Sequence, residues 1–173
     1  MRHPLEAVPA DKRARVFIPL LIATLLITFA FRFIGPATPT IVDFELAGTV
    51  TKATDIITTW TPLERIHAGF SLGFDYLYMP IYSTTIALVC GWAITVLRSG
   101  AWRSIGLALA WGLWLAAIFD ALENLALLAN LFGTPIDPYP QIAALCATLK
   151  FGLIILGLVY VIVGVGGRVF KRA

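Results

Sequence analysis

Asp120, Glu123 and Asn124 stand three and four residues apart inside an otherwise apolar run over 105–132. A carboxyl in such surroundings is suited to proton transfer, ion pairing or headgroup binding, because burial and neighbouring charge both alter its affinity for a proton. It also needs a partner, since a central Asp in a membrane helix costs roughly 2.5–3.5 kcal/mol on insertion scales. Helical spacing puts all three side chains on one face, where a single neighbouring surface can receive them. Lys150 lies in a second apolar run. Asp75 lies in a third, with Tyr78 and Tyr82 one and two turns further along the same face, and Arg32 sits near the end of a fourth.

The elements that must position these groups follow from the runs themselves, at about 16–35, 70–97, 105–132 and 142–167. Each meets or exceeds the ~20 residues needed to cross the hydrocarbon of a bilayer. With 59% hydrophobic and 13% charged residues, the chain is too apolar for an ordinary soluble domain. The 173 residues are read as a single all-α domain, 1–173, forming a four-helix transmembrane bundle. A rise of about 1.5 Å per residue sets Asp120 roughly 16 Å, Lys150 roughly 13 Å, Glu123 roughly 12 Å and Asp75 roughly 10 Å below the outer ends of their helices. The ionisable groups thus share a layer, with three carboxylates set against Lys150 and Arg32. Arg32 is shallower, and either reaches the surface with its head or turns inward as a partner.

Lys and Arg set the orientation. Arg2, Lys12, Arg13 and Arg15 precede the first run, Arg98 and Arg103 separate the second from the third, and Arg168, Lys171 and Arg172 follow the fourth, whereas the other side carries only Lys52 and Arg65. By the positive-inside rule both termini are cytoplasmic and two loops face outward, in a multi-pass protein of the plasma (inner) membrane. The basic ends are expected to meet membrane lipids and not nucleic acid, with residues 1–15 lying against the headgroups. A cleaved signal peptide is disfavoured by the length of the first run, by Arg32 and by the lack of a small-x-small site. Cys90 and Cys146 fall toward opposite ends of their helices, too far apart for a disulfide.

Between the runs, Gly35-Pro36 and Pro39 end the first helix. Val50, Ala53, Ile56, Ile57 and Trp60 then recur at helical spacing and predict a short amphipathic helix, lying either on the membrane surface or across the helix ends as a lid. Thr61-Pro62-Leu63-Glu64 has the form of a capping box with proline at the first helical position, so the second helix starts well before its apolar run. Pro80 interrupts that helix, and Asp137-Pro138 offers a cap for the last one.

Gly69-Phe70-Ser71-Leu72-Gly73 matches the nucleophile-elbow pattern of hydrolases, with His67, Ser71 and Asp75 at successive four-residue spacings. The elbow requires a strand, a sharp turn and a helix, and this stretch reads as continuous helix with the serine between its would-be partners. Hard oxygen ligands for a cation are present in Asp75, Asp120 and Glu123, but Lys150 in the same layer takes the neutralising role, so no metal site is assigned. No cofactor is specified by the sequence.

The combination Glu45-Leu46-Ala47-Gly48-Thr49, Phe74-Asp75-Tyr76-Leu77 with Tyr82, and Asp120-Ala121-Leu122-Glu123-Asn124 resembles a group of small bacterial four-helix membrane proteins of unassigned function. That resemblance groups the residues and implies no reaction. The ligand-binding candidates are therefore Asp75, Asp120, Glu123, Asn124 and Lys150, with Tyr78, Tyr82 and Arg32 beside them. Three functions are compatible with this set. It can bind a small amphiphile or lipid headgroup, it can use a carboxyl for proton transfer on a lipid-soluble substrate, or it can hold together a structural subunit of an oligomer or larger membrane complex.

Overall fold

The computed structural model describes residues 3–35, 38–96 and 100–170, and the side chains of residues 10, 96 and 165–170 are outside the description. A 3-10 turn, Pro4–Ala7, precedes helices α1 (Ala10–Ile34), α2 (Ile41–Glu45), α3 (Val50–Thr59), α4 (Pro62–Val96), α5 (Gly100–Phe132) and α6 (Tyr139–Phe170), with no strand among the described residues. α1, α4, α5 and α6 are long and apolar enough to cross a membrane. Arg2, Arg98, Lys171 and Arg172, on which the orientation partly rests, lie outside the described residues, as does Pro36.

Each long helix is longer than its apolar run, and at α4 a cap in the flanking sequence sets the start. At the head of α4, Thr61 gives its N–H and hydroxyl to the Glu64 carboxylate at 2.8 Å each, and accepts the Glu64 N–H at 3.3 Å. Asp137 behaves differently from the cap expected of it, accepting the Gln141 side-chain amide at 2.6 Å. α4 runs unbroken through Gly69–Gly73, so the stretch that matches a nucleophile elbow contains no turn.

α5 packs on both α4 and α6, α4 also packs on α6, and α1 packs chiefly on α4. The α1 contacts form a line: Phe17 on Trp92 at 5.1 Å between ring centres, Thr24 to Thr85 at 3.0 Å, and Phe31 on Phe74 at 5.7 Å. Toward the end that carries the N-terminus, α4, α5 and α6 meet closely over Ala87, Cys90, Ile94, Ala110, Leu113 and Tyr160. A Cβ at Gly106 would collide with the Tyr160 hydroxyl and come within 2.6 Å of Ile94, so only glycine permits this approach. Tyr160 then donates to the Trp102 carbonyl at 3.0 Å. Cys90 and Cys146 are both buried and free.

At the opposite end, α2 and α3 fold over the helices. Phe44, Ala53, Ile57 and Trp60 are buried with Leu72, Leu127, Leu131 and Ala143, and Trp60 donates its indole N–H to the Pro39 carbonyl at 2.8 Å. α2 is not anticipated by the apolar periodicity. It starts from a second capping box, in which Thr40 gives its N–H to Asp43 at 2.7 Å and accepts the Asp43 N–H at 3.3 Å.

The start of the chain packs against the helices, which its sequence does not announce. Residues 3–8 tuck beside α4 and α5, with Pro4 and Ala7 left exposed. His3 is only 3% exposed and its ring meets Trp111 at 4.8 Å and Trp114 at 4.5 Å. Glu6 pairs with Arg103 at 2.8 Å and also accepts the His3 N–H at 3.1 Å. This local turn hides the polar backbone of the segment and lets its side chains enter a gap between helices.

Candidate functional site

Lys150, projecting from α6, is the centre of the polar layer. Its ammonium donates to Asp120 and Glu123 of α5 at 2.9 Å each and stands 3.6 Å from Glu45, the last residue of α2. All four side chains are buried, Glu123 completely. The helical spacing of Asp120 and Glu123 thus does what it implies, presenting both acids to one cation on the facing helix. Asp120 also accepts the Tyr82 hydroxyl of α4 at 2.8 Å.

One turn away, Asn124 donates through Nδ2 to Asp75 at 2.9 Å and to the Leu72 carbonyl at 3.2 Å. An amide suits this position because it can give hydrogen bonds to a carboxylate without adding charge. The structure therefore brings together Asp75, Tyr82, Asp120, Glu123, Asn124 and Lys150. Tyr78 is adjacent but does not touch an acid. It is hydrogen-bonded to Thr28 of α1 at 2.8 Å and its ring tilts against Tyr82 at 5.0 Å.

Arg32 corrects the expected charge balance. It is exposed on α1 and forms no ion pair among the described residues. α1 packs chiefly on α4 and not on the helices that carry Asp120, Glu123 and Lys150, and this keeps Arg32 away from those acids. In its place the cluster gains a fourth carboxylate, Glu45, which spacing within the apolar runs does not reveal because it belongs to a loop. A signal for it does exist: the Thr40-to-Asp43 box marks a helix that ends on Glu45. Burial pushes the Glu45 carboxyl above the ordinary carboxylate range and Asp120 adds to the effect, while Lys150 opposes it.

The cluster is one wall of a cavity of about 940 Å³ between α1 and α6. Glu45, Asp75, Tyr82, Asp120 and Lys150 supply the polar wall, and Ile86, Phe151, Ile154 and Leu158 the apolar wall further along the helices. Thr24, Thr28, Phe31 and Arg32 close the far side from α1. The volume is at the upper end of the range of small-molecule sites, and its mixture of mostly apolar lining with a few convergent polar groups is their usual composition. No protein-family model, curated protein or solved structure matches the chain.

Proposed function

We propose that this chain is a multi-pass protein of the plasma membrane, with both termini cytoplasmic, whose cavity receives a small amphiphile or a lipid headgroup. One observation carries the reading: a cavity of about 940 Å³ has ion-paired and hydrogen-bonding groups on one part of its wall and bare aliphatic side chains on another. A head and a tail are matched by the same space. The amphipathic α3 and the short α2 act as a cover over the polar end, since Glu45 reaches from that cover to Lys150.

The test is mass spectrometry of small molecules retained by the purified protein, beside Thr28→Trp, which places a large ring in the space, and Asp120→Ala, which removes a partner of Lys150. The wild-type protein is expected to retain an amphiphile in near-stoichiometric amount and both variants to lose it. Identical retained species in all three, with all three folded, would end the proposal.

A second reading is favoured by Asp75, a carboxylate on the cavity wall that accepts from Asn124 and lies near Tyr78 and Tyr82. Such a group can take a proton from a bound lipid-soluble substrate. Incubation with a membrane lipid extract separates the two readings: an enzyme yields a new species that Asp75→Asn fails to form, whereas a binding protein returns its ligand unchanged.

A further inference from the structure

The charge on the cavity wall defines what the head of the amphiphile must be. Glu45, Asp75, Asp120 and Glu123 face a single internal cation. An ammonium has three N–H groups, and two of those on Lys150 go to Asp120 and Glu123 at 2.9 Å while Glu45 takes the remaining side at 3.6 Å. Nothing is left for Asp75, whose donor is the neutral amide of Asn124 at 2.9 Å. Glu45 is 7% exposed and lines the same cavity, and its Oε2, 3.6 Å from the Lys150 ammonium, is ion-paired there without a hydrogen bond. A negative surplus in a low-dielectric wall is met by protons or by a cation from outside the chain, and a cation would both balance the charge and occupy the space beside it.

Resting on the amphiphile reading above, we propose that the head is an ammonium group, seated against Asp75 and Glu45 beside the rings of Tyr78 and Tyr82. The tail then lies along Ile86, Ile154 and Leu158. The tyrosine rings, tilted against each other at 5.0 Å, offer the electron-rich faces that attract ammonium groups. An anionic head meets the opposite situation, with carboxylates on the wall and a lysine whose donors are already engaged. Arg32 lines the cavity from α1, across from the acids. It gives two sources for the same ammonium chemistry: a simple alkylamine, or a zwitterionic lipid head whose phosphate meets Arg32.

The experiment is calorimetric titration of the full chain, purified in dodecyl maltoside, with dodecylamine, lysophosphatidylethanolamine and dodecyl phosphate. Saturable binding of the first or second, and not of the third, is the expected result, with affinity at least tenfold weaker in Asp75→Asn. Arg32→Gln identifies the source, weakening the lysophospholipid alone if a lipid head is bound and neither probe if an alkylamine is. Saturable binding of dodecyl phosphate with no preference for the amines overturns the charge assignment and leaves the amphiphile reading standing. Absence of saturable binding by all three, joined to no retained amphiphile, overturns both. If Asp75→Asn does not fold, judged by helicity and gel filtration, the wild-type head-group series decides alone.

Discussion

Two gaps flank α4, one on either side of the line where it meets α1, and they have opposite contents. Residues 75, 78, 82 and 86 border the first, residues 87, 91 and 94 the second, about half a turn round the helix. His3, Leu5 and Glu6 fill the second and leave about 20 Å³, whereas the first stays open at about 940 Å³. Both exist because α1 leans on α4 without being drawn in against α5 and α6. The chain seals the gap with its own N-terminal turn where the walls are Ala87, Gly91 and Ala110, and leaves unsealed the one walled by Asp75, Asp120 and Lys150. An apolar wall is satisfied by any side chain that excludes lipid or water, while a charged wall asks for a partner of particular chemistry.

Removing the cation of the open gap should have the largest effect. Lys150→Ala strands Asp120 and Glu123, and loss of one member of a buried ion pair costs about 3–5 kcal/mol, so denaturant unfolding in detergent should show a severe loss or no folded protein. Emptying the filled gap comes next. His3→Ala should cost roughly 1–3 kcal/mol and alter the fluorescence of Trp111 and Trp114, which the ring touches. Thr28→Trp, which adds bulk to the open gap, should change stability by less than about 1 kcal/mol, because its ring enters empty space. If adding bulk to the open gap is as harmful as emptying the filled one, the contrast between them fails.

Acidity should act on the two gaps with opposite sign. Burial holds His3 below its usual 6.5, so its contribution is whole above about that pH and is lost as the pH falls through its depressed value. Glu45 is pushed above its usual 4.5, so its contribution is whole below about that pH and is lost as the pH rises through the elevated value. Thermal unfolding against pH should lose its acid-side slope in His3→Phe and its alkaline-directed slope in Glu45→Gln. The smallest effect belongs to the Glu6–Arg103 pair at the mouth of the filled gap. With the arginine side chain 52% exposed, Arg103→Gln should cost no more than about 1 kcal/mol in the same assay.

Most of the open gap's polar wall can be read from residue order, and the filled gap cannot. Asp120, Glu123, Asn124, Lys150 and Asp75 stand out because ionisable residues in apolar runs must find one another, and helix geometry gives both their face and their depth. Thr61 and Glu64 declare the start of α4 for a similarly local reason. Glu45 and His3 escape such a reading because their burial is decided by how a loop and a terminus fold back, over tens of residues. Arg32 shows the limit within a helix: depth follows from counting, but the distance to a partner depends on which neighbours the helix acquires. Here α1 acquires chiefly α4, leaving Arg32 at the rim.

The Gly106 contact has a mechanical consequence. With Tyr160 and Ile94 pressed against that glycine, α4, α5 and α6 are joined there as the arms of tongs are joined at the rivet. Lys150 stands ten residues, or about 15 Å, from Tyr160 along its arm, so each degree of tilt carries its ammonium about 0.3 Å. Any relative tilt of these helices would therefore be leveraged, smallest at the rivet and largest at the level of Lys150.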